Sequence, residues 1–127
     1  MMIASDIVYA ALTGSAGVTA IAGTRVKPQV VPDKVDLPAV AYAVQVDTPI
    51  DGSAALQRAM ITCYCLAHDE TAAQNLAVAV DAVLNGYAAS SGSTRLSEFV
   101  RNSWDELRDT EMEVWGRTLV YQTWIMY

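Results

Sequence analysis

The sequence predicts an α+β fold: a mainly antiparallel sheet of about five strands, with an N-terminal helix and one central helix packed on one face. Three observations predict it. Residues 38–47, 56–67 and 112–127 alternate with a period of two, so successive side chains point to opposite faces of a sheet. Residues 69–84 instead repeat at i, i+3, i+4 and i+7, the spacing of one helix face. The order α, (α), β, β, β, α, β, β lacks the strict strand–helix alternation of parallel sheets. At 127 residues the chain is expected to form one domain, 1–127.

Taken in order, residues 5–13 read as a helix, with Ser5 or Asp6 capping the first turn and Ile3, Ile7, Ala11 and Leu12 near one stripe. Gly14 ends it. A short helical turn follows over 15–22, with Val18 and Ile21 three apart and Gly23 as its stop. Val26, Pro28 and Val30 alternate around a proline, which suits an edge strand or extended arm. Residues 32–36 form a polar turn. In 38–47, Val40, Tyr42, Val44 and Val46 share a face. The eight residues 48–55 exceed the needs of a tight hairpin, and long loops are where binding often resides.

Residues 56–67 return as a strand, with Ala59, Ile61, Cys63 and Cys65 on one face and Arg58, Met60, Thr62 and Tyr64 on the other. In the helix at 69–84, Ala73, Leu76, Ala77, Val80, Val83 and Leu84 face inward, opposed by Glu70, Gln74, Asn75 and Asp81. Asp69 or Thr71 caps it, Thr71 and Gln74 fit a capping box, and Gly86 stops it. Residues 88–93 read as a small polar loop, 94–107 as a strand, 108–110 as a turn, and 112–127 as the last strand with Gly116 as a bulge. Both faces of that last strand are apolar, which places it in the middle of the sheet or under a neighbour.

Composition excludes several function classes. Apolar residues make up 53% and charged residues 17%, too apolar for disorder, and the excess of Ala and Val is spread along the chain. No apolar run reaches the roughly 18 residues of a membrane span. The start, Met1-Met2-Ile3-Ala4-Ser5-Asp6, lacks a basic segment, so a secretory signal is not expected. A net charge of −6, with arginines scattered from Arg25 to Arg117, disfavours tight nucleic-acid binding, which needs clustered cations. An acidic wall past which DNA slides is compatible with that charge. Low surface charge on an apolar chain suggests that partner subunits cover part of it.

The residues of types that carry chemistry mostly have a commoner structural role. His68 beside Asp69 and Glu70 could be a general base oriented by an acid, but a turn residue beside a helix cap is the usual setting. Cys63 and Cys65 lie on one face of a strand as half of a zinc site without a second pair, so buried core thiols are expected. Gly14-Ser15-Ala16-Gly17 lacks the Gly-Lys-Ser/Thr ending of a phosphate loop and follows a helix. Glu111 and Glu113 could pair as acids or metal ligands, against the commoner solvated strand start. Residues 98–113 hold six acids against two arginines, which reads as a solvated hairpin face or as an acidic rim in an oligomer. Trp104, Trp115, Tyr121, Trp124 and Tyr127 suit core and cross-strand pairing better than base stacking, since no cations interleave them.

The order of several segments resembles the tail-completion, or tail-terminator, proteins of long-tailed bacteriophages and prophages. These are Ile7-Val8-Tyr9-Ala10-Ala11-Leu12; Val18-Thr19-Ala20-Ile21-Ala22-Gly23-Thr24-Arg25-Val26 with Pro28 and Pro32 after it; Leu37-Pro38-Ala39-Val40-Ala41-Tyr42; and Ile61-Thr62-Cys63-Tyr64-Cys65 followed by Thr71-Ala72-Ala73-Gln74-Asn75-Leu76-Ala77. The resemblance spans nearly the whole chain. It implies a structural virion protein, made in the host cytoplasm, with no catalytic residues, metal or cofactor. It further implies a ring, commonly a hexamer, at the head-proximal end of the tail tube. Its partners would be copies of itself, the tail tube protein and a head–tail connector protein, with DNA only as passing cargo and no membrane. By the same analogy the arm at 28–36 and the loop at 48–55, notably Pro28, Pro32, Pro49, Ile50, Asp51 and Gly52, are expected to make subunit or tube contacts. A connector or stopper of the neck is the nearest rival reading. A small ligand-binding domain or enzyme, built around His68, Glu111 and Glu113, is the rival of a different class.

Overall fold

The computed structural model describes residues 3–23, 26–28, 37–46, 56–91, 94–109 and 114–126. Their order is α1 (Ile3–Thr13), α2 (Ala16–Ala22), β1 (Val26–Pro28), β2 (Ala39–Val46), β3 (Leu56–Ala67), α3 (Glu70–Leu84), β4 (Ala89–Ser91), β5 (Thr94–Leu96), β6 (Val100–Asp109) and β7 (Val114–Met126). The strands form one sheet in the order β1-β2-β3-β7-β5-β4, with β6 also paired to β7. Among the described strands only β1 runs parallel to its neighbour, Val26 lying opposite Val40, and the other pairings are antiparallel. The α+β class, the edge position of β1 and the central position of β7 all agree with the sequence pattern.

β7 is central because both its edges are paired. One edge pairs with all of β3, from Leu56↔Met126 to Ala67↔Trp115. The other edge takes β5 and β6 in succession, Leu96 opposite Ile125 and Val100 opposite Gln122. The expected strand over 94–107 is therefore interrupted at 97–99. There Ser97 keeps the ladder alive, its N–H donating to the Trp124 carbonyl over 2.9 Å and its Oγ accepting from the Trp124 N–H over 2.9 Å. Phe99 then turns away to exchange backbone hydrogen bonds with Gly86 and Tyr87, and its buried ring meets Tyr87 edge-on, with centroids 5.7 Å apart. The segment expected as loop 88–93 contributes the short β4, which pairs with β5. The bulge falls on β6 between Arg101 and Ser103, and Gly116 sits in regular register opposite both Leu66 and Leu107.

Three helices cover one face of this sheet. α3 lies on β3 and β7, while α1 and α2 lie toward β1 and β2. The face beneath them carries Val40, Tyr42, Val44, Ile61, Cys63, Cys65, Leu119, Tyr121 and Ile125, all buried, as the alternation predicts. Val8, Leu12, Val18, Leu76, Ala77, Val80 and Leu84 close over them from the helices. Each fully buried Val or Leu contributes about 1.5–3 kcal/mol relative to exposure, so this layer contact dominates the fold.

The helix boundaries follow their caps. α2 starts where the Ser15 Oγ accepts the Val18 N–H over 3.3 Å, and ends at Gly23 with φ 60°. α3 starts at Asp69, whose Oδ1 accepts the Ala72 N–H over 2.7 Å. Gly86, just past its end, has φ 84°, a conformation that a residue with a Cβ rarely adopts. α1 begins at Ile3, ahead of the Ser5 or Asp6 cap expected from sequence.

Candidate functional site

Among the described residues, those considered for chemistry do not converge. His68 is exposed, and its two acidic neighbours are engaged elsewhere: Asp69 caps α3 and Glu70 approaches Arg117 at 3.5 Å. Cys63 and Cys65 are fully buried. Burial pushes the Cys63 thiol up to about 12. Cys65 is also raised, first by burial and then by the adjacent Cys63. A thiol held neutral is neither a nucleophile nor a metal ligand. Ser15 of the glycine-flanked segment is occupied as a helix cap. Among the described residues no group of three or more His, Cys, Asp and Glu is placed to hold a metal ion. Glu111 and Glu113 lie outside the described residues.

The polar chemistry of the molecule goes instead into two clamps that fasten α3 to the sheet. In the first, the Arg117 side chain is only 5% exposed on the helix-covered face of β7. Its Nε donates to Gln74 Oε1 over 3.1 Å and one terminal nitrogen to the Gly116 carbonyl over 3.1 Å. The other terminal nitrogen stands 3.5 Å from Glu70 and 3.4 Å from Glu106. Gln74 thus serves Arg117, and the Thr71–Gln74 capping box expected from sequence is not formed. In the second clamp, the Tyr121 hydroxyl donates to Asp81 Oδ1 over 2.8 Å, and Arg101 donates to Asp81 Oδ2 over 2.8 Å. The Arg101 guanidinium also stands 5.1 Å from the Trp104 ring centroid.

The spacings of the two clamps match. Gln74 and Asp81 are seven residues apart, about 10.5 Å along a helix, while Arg117 and Tyr121 are four apart, about 13 Å along a strand. Sequence reading placed Gln74 and Asp81 on the solvent side of α3, whereas both reach across to the sheet. The available signal was Arg117 itself, a cation at a core-facing position of an apolar strand. Burial raises the Tyr121 phenol first, and its hydrogen bond to Asp81 and that carboxylate's charge raise it further.

What remains open is surface. The sheet face away from the helices presents Trp124, 42% exposed, and Val100, 59% exposed, with Met60 and Val120 half-buried nearby. Trp124 lies directly opposite Arg58, and Arg95 lies opposite Met126 one row on, so both arginines share this face. On the other side of the molecule, Tyr9 and Val78 project from the helix layer, 45% and 52% exposed. Of the residues expected to make subunit contacts, Pro28 ends the edge strand β1. Pro32, Pro49, Ile50, Asp51 and Gly52 lie outside the described residues.

Comparison with known proteins bears on this surface-dominated molecule. The family model described as "Tail completion protein gp17" matches residues 6–126. No curated protein matches the sequence. Among solved structures, a chain of "Virion of native gene transfer agent (GTA) particle" superposes with a TM-score of 0.72 at 22% identity, covering 94% of this chain and 92% of that one. At that identity the likeness is one of fold.

Proposed function

The chain belongs to the family of tail completion protein gp17, and on that premise we propose that it forms a ring, commonly of six copies, that closes the head-proximal end of a phage tail tube and joins it to the head. As a member of this family it is a structural tail protein of a virion, and its work is contact with other virion components. What supports the finer reading is that the tail completion family model matches the chain over residues 6–126.

In this reading residues 1–127 act as one unit whose partners are copies of itself, the tail tube protein and the head–tail connector protein. DNA passes as cargo. A net charge of −6 suits that role, because like charge keeps a passing polyanion from sticking. No cofactor and no membrane contact enter the proposal. The arm and loop that hold Pro28, Pro32, Pro49, Ile50, Asp51 and Gly52 are proposed as the segments that touch neighbouring subunits or the tube.

The test is removal of the chain during assembly. Tails made without it should vary in length and fail to join filled heads, and purified protein should restore both properties. A chain that binds only a portal-side adaptor, leaving tail length unaffected by its absence, would instead be a neck connector or stopper. Deleting residues 50–54 should impair ring formation or tube capping; if both survive, the loop is not a contact.

A further inference from the structure

Of the three asparagines in the chain, Asn75, Asn85 and Asn102, only Asn85 is followed by glycine. Such a pair is especially prone to lose the side-chain amide, because glycine has no side chain to shield its backbone nitrogen. The structure sets this pair at the C-terminal end of α3, with both residues exposed. Its reacting atoms are nevertheless held apart. The Gly86 N–H donates to the Phe99 carbonyl over 2.9 Å, and the Asn85 N–H donates to the Asp81 carbonyl over 3.0 Å. Asn85 has ψ 116°, whereas joining its Cγ to the next backbone nitrogen needs a negative ψ. Phe99 is fixed in turn, its N–H donating to the Tyr87 carbonyl over 2.8 Å and its buried ring meeting Tyr87 edge-on.

We propose that Asn85–Gly86 is a masked self-modification site, closed by the Gly86–Phe99 backbone pair and converted to aspartate and isoaspartate when that pair opens. In the open form the Gly86 nitrogen gives its proton to solvent and bonds to Asn85 Cγ. The Cγ–Nδ2 bond breaks and that nitrogen leaves as ammonia. Water then cleaves one C–N bond of the cyclic imide. Cleavage at the side-chain carbonyl leaves aspartate; cleavage at the main-chain carbonyl leaves isoaspartate, with one more carbon in the backbone. No electron is transferred, and water is the only co-reactant. Either product puts a carboxylate at the C-terminal end of α3, where the helix dipole disfavours it and the last turn has no basic residue. The Glu98 carboxylate already lies beside Gly86, 3.4 Å from where a Cβ would stand. Both repulsions oppose reclosure, so the modified junction between α3 and β6 stays looser. This chemistry is independent of where the chain sits in a virion.

The test incubates the folded protein at mildly alkaline pH and follows conversion of amide to acid by peptide mapping with mass spectrometry, beside the same chain in denaturant. Asn85 should convert ahead of Asn75 and Asn102, and far more slowly in the native chain than in the unfolded one, because the rate follows the open population. Tyr87→Ala removes the ring against which Phe99 packs and should raise the native rate about tenfold while circular dichroism shows the fold retained. Urea below the unfolding transition should raise the wild-type rate as well, which reads the opening even where that variant fails to fold. Asn85→Asp should exchange its Gly86 amide proton with solvent faster than the wild-type chain does.

Native conversion as fast as in denaturant would show that nothing masks the pair. Conversion of Asn75 or Asn102 first would place the reactive site elsewhere. A rate unmoved in folded Tyr87→Ala, or flat in urea up to global unfolding, would show that the Phe99 contact is not the mask. Each of these results would overturn the proposal, and unchanged Gly86 exchange in Asn85→Asp would overturn its loosening step.

Discussion

The hydroxyl of Tyr121 donates a 2.8 Å hydrogen bond to Asp81, tying the centre of the sheet to the fourth turn of α3. The same carboxylate accepts from Arg101 at 2.8 Å, so one acid on the helix holds both β7 and β6. Tyr121→Phe keeps the ring in the core and removes only this bond. It should lower stability by about 1.5–3 kcal/mol, the cost of losing a hydrogen bond to a charged group. Urea denaturation should show a lower midpoint with an unchanged slope.

At Arg117 the distances decide which partner matters. The bonds to Gln74 and to the Gly116 carbonyl are 3.1 Å each, whereas Glu70 and Glu106 stand at 3.5 and 3.4 Å and are 58% and 72% exposed. Exposed ion pairs contribute little. Glu70→Ala and Glu106→Ala should therefore each cost less than about 1 kcal/mol. Arg117→Ala should cost about 1–3 kcal/mol, because it takes a donor from the buried Gly116 carbonyl. Equal losses in all three variants would show that the carboxylates, and not the amide and carbonyl, hold the guanidinium.

Alkaline pH should weaken the fold before acid chemistry at any functional group is involved. The folded-state pKa of Cys63 is raised from 9.0 to about 12, and that of Tyr121 is raised from its ordinary value near 10.0. For both groups the folded protein holds the proton more tightly than the unfolded chain. Their contribution is fully present below the unfolded pKa and is lost as pH rises toward the folded one. Denaturation midpoints should fall from about pH 9 upward, by at most about 1.4 kcal/mol per pH unit for each group. Replacing both cysteines with alanine should flatten the part of the slope between pH 9 and 10.

The buried thiols also predict reactivity. Cys63 and Cys65 in the native protein should resist a thiol-specific reagent and react at the rate of global unfolding, then react at once in denaturant. Fast native labelling would mean that β3 opens independently of the rest of the sheet.

Much of this architecture was legible in the sequence because it depends on local periodicity. The alternation of Val40, Tyr42 and Val44 and of Ile61, Cys63 and Cys65 gave the covered face, and the stripe from Ala73 to Leu84 gave α3. Glycine punctuation placed the ends of α2 and α3 correctly. The failures involve groups brought together across the chain. Phe99 breaks the strand because its ring finds Tyr87, twelve residues earlier, a contact that no pattern around residue 99 encodes. Gln74 reads as a capping-box residue, yet Arg117, 43 positions away, competes for its side chain and wins. For the functional surface, the sequence could not show that Trp124 and Val78 stand on opposite sides of the molecule, because that depends on how the helices lie on the sheet.

The central claim is that this chain is a tail component located where the tube meets the head. Labelling it with a small C-terminal tag and imaging intact tails and virions by cryo-electron microscopy tests that claim most directly. The account predicts one ring of label per tail, at the head-proximal end and nowhere else. Label spread along the tube, or absent from assembled particles, would contradict it.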